Sequence, residues 1–407
     1  MGFFGDVPAK ASLEIRSTPN CNACGLFKNC KSPKMHYIGQ GGRRILIVSE
    51  SPGKDEDREG RLMVGNSSRE LVRQLKVVGI QFQRDCWLTN AAICYSPSIT
   101  PEHINHCRPN LANLIDELKP TTIITLGEGG LRAVLPLAWR DDVSQFGRWP
   151  GWVIPSQKLN AWICPTFHPA YLFKAKNSPV ELFFRRHLEE ALKASSSAPW
   201  SVLPRWEDEV EIITDPTLAS RKIAKLTARG GLTAFDYETT CLKPEGPASR
   251  ILSAAICWEG KRTIAFPWSG PVIPAMAEYL QSPHPKIAAN AKFEDRWTRT
   301  QLGFPVRGWV WDTMINGHVI DNRKGTKSLK FQSFVMLGMT DYDSHISDYM
   351  GDKQSYVPNK LTRLDLRPLL QYNGLDALLE YKVAELQMRK LECYRFSGRE
   401  SRRPNNA

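Results

Sequence analysis

Two α/β domains in series are the architecture this sequence predicts, and three observations carry that prediction. Between residues 44 and 168 short apolar runs alternate with segments of helical spacing, the pattern of a parallel sheet flanked by helices. After residue 230 several apolar runs follow one another before helical spacing takes over, which reads as a sheet with antiparallel strands. Ala194-Ser-Ser-Ser-Ala-Pro-Trp-Ser-Val-Leu-Pro204 between them is rich in small residues and proline, the composition of a linker. At 407 residues the chain is also too long for one ordinary core. The expected divisions are 1–195, a linker at 196–208, a second domain at 209–395 and a disordered tail at 396–407.

Composition narrows the class. The chain is 42% hydrophobic and 24% charged, as in a globular protein, and no apolar run is long enough to span a membrane. The N-terminus lacks a basic region followed by an apolar run, and Asp6 stands where myristoylation wants Ser or Thr. The expected location is the cytoplasm, with no membrane partner. A net charge of +12 suits a polyanionic partner.

In chain order, the cysteines come first. Ten in a cytoplasmic chain argue against a disulfide framework. Cys21-Asn-Ala-Cys24 is a C-x-x-C with Cys30 close behind, and Cys94 and Cys107 lie downstream beside turn residues. Thiolates converging from separate loops suit a zinc ion or an iron–sulfur cluster, and spacing alone leaves both open. Cys86, Cys164, Cys241, Cys257 and Cys393 sit in apolar contexts as ordinary thiols. Strands are expected at 44–49, 87–94, 121–126 and 161–168, with a polar loop at 54–65 and a helix from Ser67 to Val78. In a parallel sheet ligands bind at the C-terminal strand ends, and Glu50, Asn90 and His168 all fall there.

These residues carry a resemblance. Cys21-x-x-Cys24, Ser49-Glu-Ser-Pro-Gly53 with Glu56-Asp57 and Gly60-Arg61, Thr89-Asn90 before Cys94, Cys107, and His168-Pro169-Ala170 resemble the family-4 uracil-DNA glycosylases over about residues 15–195. The resemblance implies that Cys21, Cys24, Cys94 and Cys107 ligate a [4Fe-4S] cluster, with Cys30 an extra thiol. It implies that Glu50 sits at the glycosidic bond, that Asn90 reads the uracil edge and that His168 stabilises charge on the uracil oxygen. The base would be flipped from the stack into a pocket, and the stretch after His168 would wedge into DNA. Two positions depart from the family. Met63 stands where an aromatic ring stacks on uracil, giving up stacking worth ~1–3 kcal/mol while still covering a base face. Ser49 stands where the family has glycine.

The second half is organised by Leu232-Thr-Ala-Phe-Asp-Tyr-Glu-Thr239. A short strand, Leu232 to Phe235, delivers Asp236 and Glu238 at its end, on one face because they are two apart. Adjacent carboxylates repel and are stable together mainly around a divalent cation. Two further stations follow: Asn290 with Phe293, Glu294 and Asp295, and then Tyr372 and Asp376, four apart on a segment of helical spacing. Only one of Glu294 and Asp295 can face the metals, because neighbours on a helix point about 100° apart; spacing favours Glu294, with Asp295 as the rival. Strands at 250–257, 262–266 and 309–312 and a helix at 273–280 complete the domain. Lys324, Lys327 and Lys330 precede Phe331 and Phe334, either as a track for a DNA strand or as a solvated basic face.

The three stations, with Asp312-Thr313-Met314 between the last two, resemble the tyrosine-bearing DEDD 3′–5′ exonucleases of family-A DNA polymerases over about residues 210–391. The resemblance implies a ribonuclease-H-like fold and two Mg²⁺ or Mn²⁺ ions held by Asp236, Glu238, Glu294 and Asp376. Asn290 would contact the substrate, a single strand or frayed 3′ end of DNA, and Tyr372 would orient the attacking water, since a phenol titrates near ~10. Some bacteriophage DNA polymerases carry a glycosylase-like and an exonuclease domain ahead of the polymerase, and this chain resembles that front portion. It is expected either to proofread for a polymerase on a separate chain or to work alone in DNA repair or degradation. The alternative is an accessory protein that binds DNA with both sites degenerate.

Overall fold

The computed structural model describes residues 18–174, 178–350 and 356–391. The chain divides into two compact units: residues up to Pro204 with Phe334–Thr340, and Arg205–Ser333 with the residues from Asp341 onward. The division falls within the stretch expected to be a linker. Part of that stretch is tied down: the Trp200 indole N–H donates to Pro155 O at 2.9 Å, and Asn160 Nδ2 donates to Trp200 O at 3.2 Å.

The first unit holds a five-stranded sheet in the order β2-β1-β3-β5-β4, formed by β1 (Ile45–Ser49), β2 (Cys86–Asn90), β3 (Thr122–Leu126), β4 (Ile154–Ser156) and β5 (Ala161–Thr166). The first three and β5 run parallel; β4, absent from the sequence reading, pairs antiparallel at the edge. Every residue of β3 is buried, as expected for a strand covered on both faces. The register sets Ser49 opposite Asn90 and Leu126 opposite Thr166, so the C-terminal strand ends line up along one edge. The helices are α1 (Cys21–Cys24), α2 (Lys54–Glu59), α3 (Asn66–Val77), α4 (Phe82–Asp85), α5 (Pro101–Leu118), α6 (Gly127–Val134), α7 (Pro169–Lys174) and α8 (Val180–Ala194).

The segment expected to be a polar loop at 54–65 is helical in its first half. Glu56 in the first turn of α2 folds back so that its Oε2 accepts from Gly53 N–H at 2.8 Å, and Gly60 ends the helix at φ +69. Acids at 55–57 sit at the positive end of the helix dipole; charge that reads as a solvated loop is here a capped turn.

In the second unit β6 (Val210–Ile212), β7 (Thr233–Thr239), β8 (Ile251–Trp258), β9 (Arg262–Pro267), β10 (Lys286–Ala288) and β11 (Trp309–Asp312) form a mixed sheet, order β11-β10-β7-β8-β9-β6. β7, β8 and β9 are antiparallel, while β10, β11 and β6 join in parallel. The strand expected to stop at Phe235 runs on to Thr239, so both acids lie within it, paired with Ala255 and Ser253. Alternation then separates two functions. Phe235 and Tyr237 enter the apolar core, while Asp236 and Glu238 point to the other face. The helices are α9 (Pro216–Arg229), α10 (Val272–Gln281), α11 (Ala291–Leu302), α12 (Thr313–Ile320) and α14 (Leu366–Leu391), with α13 (Leu329–Leu337) belonging to this unit up to Ser333 and to the first from Phe334. Gly374 within α14 admits the close approach of β6, since a Cβ there would lie 2.3 Å from Val210 Cγ1.

Phe331 and Phe334 are core residues, 1% and 0% exposed. Phe334 stacks on Trp139 at 4.5 Å and Lys330 pairs with Asp343 at 2.8 Å, so these rings offer no face to a nucleic-acid base. Cys86, Cys164, Cys241 and Cys257 are buried free thiols. Cys393 and the expected tail lie outside the described residues. Among the described residues no helix is long and apolar enough to cross a membrane.

Candidate active sites

At the aligned strand ends of the first unit is a cavity of about 250 Å³ whose wall includes Ser49, Met63, Asn90 and His168. Asn90, last residue of β2, is 5% exposed. His168 Nδ1 accepts from Ala170 N–H at 3.2 Å, which leaves the ring hydrogen on Nε2. That nitrogen faces Ser49 Oγ at 3.3 Å. Burial pushes the His168 pKa down, so the ring is neutral and its Nε2–H is a donor.

Glu56 ties the cavity walls together. Besides Gly53 N–H, it accepts through Oε1 from Gly65 N–H at 3.0 Å and Ser68 Oγ at 3.1 Å. The loop so closed carries Met63 at φ +69. Asp57 next door accepts from the amides of Lys31 and Ser32 at 3.1 and 2.9 Å, joining this region to the cysteine loop.

Glu50 stands apart from the other predicted residues of this site. One position past the end of β1, it packs against Gly129 at the start of α6, where an added Cβ would lie 2.5 Å from Glu50 Cγ. Burial and the nearby Glu128 raise its carboxyl above the ordinary range. The stretch after His168 is α7, with Tyr171 and Phe173 about half exposed at 48% and 45%.

Cys21, Cys24, Cys94 and Cys107 surround one small pocket, with Cys30 beside Cys94. Lys34 N–H donates to Cys94 Sγ at 3.3 Å and Asn110 Nδ2 to Cys107 Sγ at 3.4 Å, donors that stabilise sulfur carrying negative charge. Burial pushes the Cys94 thiol up to about 11.

In the second unit ligand atoms of Asp236, Glu238 and Asp376 all lie within 4.8 Å of one another. β7 supplies the first two and α14 the third. Asn373 on α14 donates to Asp236 Oδ2 at 2.7 Å and accepts from Ser253 Oγ at 2.8 Å, fixing the orientation of Asp236. Burial, then the charge of Asp376, pushes Asp236 well above the usual carboxylate range; burial, then Asp236, does the same to Glu238. Asp376 is raised only to about 6, because Tyr372 and Tyr342 donate to it. Burial keeps the Tyr372 phenol protonated, so it is a hydrogen-bond donor and no base.

Glu294 is 1% exposed on α11, close enough to Asp236 to raise its own carboxyl beyond the effect of burial. Its Oε2 has no protein partner. Asp295 turns away, accepting from Arg299 at 2.5 Å and Val306 N–H at 2.9 Å. Asn290 takes the left-handed region at φ +76 before α11, and its backbone N–H donates to Asp312 Oδ1 at 3.2 Å. Asp312 also accepts from Ala291, Met314 and Ile315 N–H, a framework role. Sequence spacing missed three neighbours: Asn373, Tyr342 and Glu380. Glu380, one turn beyond Asp376, is 1% exposed; its Oε1 accepts from Ala289 N–H at 3.0 Å while Oε2 has no protein partner. Buried, unsatisfied acid oxygens this close together favour a cation, and the all-oxygen donor set fits Mg²⁺ or Mn²⁺.

Residues 36–194 match the family model of the uracil DNA glycosylase superfamily. A type-4 uracil-DNA glycosylase of Pyrobaculum aerophilum is 32% identical over 162 residues, 38% of this chain and 80% of that protein. That of Archaeoglobus fulgidus is 30% identical over 116 residues, 28% of this chain and only 57% of its own length. A DNA polymerase of Bacillus phage SP01 is 25% identical over 324 residues, 70% of this chain and 33% of the polymerase. Among solved structures, RNase D of Trypanosoma brucei aligns at 14% identity and a TM-score of 0.36, covering 43% of this chain and 63% of that one. A likeness of that size fixes nothing about chemistry, which for the second unit rests on its own geometry.

Proposed function

The chain belongs, through its first unit, to the uracil-DNA glycosylase superfamily, and on that premise we propose that it joins two DNA-processing activities in series. The first unit removes uracil by hydrolysis of its N-glycosidic bond. The second is a metal-dependent 3′–5′ exonuclease acting on a single strand or frayed 3′ end. The observation that carries the second half is the meeting of Asp236, Glu238 and Asp376, brought from a strand and a distant helix to within 4.8 Å.

In the first unit an extruded base enters the cavity of about 250 Å³. The Asn90 amide presents a donor and an acceptor to its edge. Neutral His168 offers Nε2–H to the carbonyl oxygen on which charge develops as the bond breaks, a preorganised donor in a dry site. Met63 covers the base face. Cys21, Cys24, Cys94 and Cys107 would hold a [4Fe-4S] cluster, which supplies a structural tie between the cysteine loop, the end of β2 and α5.

In the second unit Asp236, Glu238 and Asp376, with Glu294 alongside, would hold divalent cations. Such ions activate water and neutralise charge on a scissile phosphate. Asn373 holds Asp236, and Tyr372 donates its hydroxyl to Asp376 or to the attacking water. Asn290, at the start of α11, contacts the substrate strand.

The two halves are tested apart. With Mg²⁺ or Mn²⁺ and a 5′-labelled single strand, the chain should shorten the substrate from its 3′ end, and Asp236→Ala should abolish this. With a uracil-containing oligonucleotide in EDTA followed by alkali, cleavage should map to uracil and vanish with Asn90→Ala. An inert chain in the first assay overturns the nuclease reading; intact uracil strands in the second overturn the glycosylase reading alone.

A further inference from the structure

We propose that Tyr342, which lies outside all three motif stations, is the positioning residue that fixes Asp376 for the cation held by the acidic centre. Its hydroxyl donates to Asp376 Oδ1 at 2.8 Å, and its ring stacks on Tyr372 with centroids 5.9 Å apart and planes 16° from parallel. The residue is 8% exposed.

The loop that presents Tyr342 is braced on both sides. Asp341 before it takes the left-handed region at φ +61, rare for a residue with a side chain. Ser344 N–H donates to Asp341 O and Ile346 N–H to Asp343 O, both at 3.1 Å. Asp343 after it pairs with Lys330 at 2.8 Å. Those contacts hold the backbone, while the Tyr342 hydroxyl reaches a carboxylate of the centre.

A carboxylate free to rotate can offer a cation either oxygen in many planes. A donor fixed on Oδ1 selects one plane and directs the remaining lone pairs toward the space shared with Asp236 and Glu238. Outer partners of this kind orient metal ligands, and losing one typically costs about 10–100-fold in metal affinity or activity. Both tyrosines donate to Asp376, Tyr372 from the helix that carries the carboxylate and Tyr342 from a separate loop, so Tyr342 fixes it from a second direction.

This inference rests on the nuclease reading, and the experiment separates the two. Tyr342→Phe keeps the ring and its stack and removes only the hydroxyl. Mn²⁺ binding is measured by calorimetry without DNA. The Mn²⁺ dependence of nucleotide release from a single strand is measured beside it, with a melting curve in EDTA to verify folding. The variant should melt as a folded protein, yet need about 10–100-fold more Mn²⁺ both to bind and to reach half-maximal rate, with most of the rate returning at saturating Mn²⁺. Binding and half-activation within about threefold of the parent, well short of that range, would overturn the role of Tyr342 and leave the nuclease reading standing. So would a loss of rate that excess Mn²⁺ leaves untouched, the mark of a merely structural role. A parent protein that binds no Mn²⁺ would overturn both.

Discussion

Replacing Asp376 by asparagine should stabilise the cation-free protein. The Asp376 carboxyl is pushed up to about 6 by burial, against ~3.9 for an unfolded aspartate. At ~1.4 kcal/mol per pKa unit, ionising it within the fold costs roughly 3 kcal/mol. The sign follows from where the proton is held more tightly. The folded state binds it better, so the penalty is absent below about pH 4, grows as pH rises toward 6, and is complete above that. Asparagine carries no charge and still accepts the Tyr342 hydrogen bond through its oxygen. In EDTA at pH 7.5 the transition of the second unit should therefore lie on the order of 5–10 °C higher in Asp376→Asn, and the gap should close near pH 4. Mn²⁺ a thousandfold above Kd reverses the order, since the parent gains about 4.1 kcal/mol there and the variant far less. Melting curves in EDTA and in Mn²⁺ across this pH range test all three statements. A variant less stable than the parent in EDTA at pH 7.5, or a gap indifferent to pH, would refute the reasoning.

Other expectations concern separate parts of the chain. Protein purified without air should contain iron and acid-labile sulfide, both lost in Cys107→Ser; stoichiometric zinc by metal analysis would rule out the cluster. Glu56→Ala strips the acceptor from Gly53 N–H, Gly65 N–H and Ser68 Oγ, and should cost about 1–3 kcal/mol in denaturant unfolding along with uracil excision. Asn373→Leu removes the donor to Asp236 and should slow nucleotide release about 10–100-fold in a timed gel assay, whereas Ser253→Ala, one contact further out, should cost less.

Residues whose role follows from local geometry were legible in the sequence. Asp236 and Glu238 share a face because strands alternate, and Tyr372 and Asp376 share one because helices repeat; both pairs survive the extension of β7 to Thr239. Helical angle allowed only one of Glu294 and Asp295 to face inward and left them as rivals; the buried side chain is Glu294. What escaped depends on approach in space. Tyr342 sits in an irregular loop, and Glu380 and Asn373 are ordinary helix positions until α14 crosses β7. Glu50 was expected at the glycosidic bond by its place at a strand end; it packs against Gly129 of α6 and does not line the cavity. The lysines before Phe331 and Phe334 left open a track for a DNA strand or a solvated basic face, and only packing shows the two rings to be interior.

Met63 holds a left-handed backbone conformation without being glycine, at a cost of roughly 1–2 kcal/mol. Its two ends are tied through Glu56, so the chain cannot relax by opening. This restricts which replacements the position can accept, and hydrophobicity is not the criterion. Valine or isoleucine, branched at Cβ, would collide with their own main chain in this conformation. Leucine or phenylalanine would be tolerated, and glycine would relieve the backbone while leaving the base uncovered. Comfort of the fold and grip on the ligand thus select opposite residues at one site, and only long, unbranched-at-Cβ side chains reconcile them.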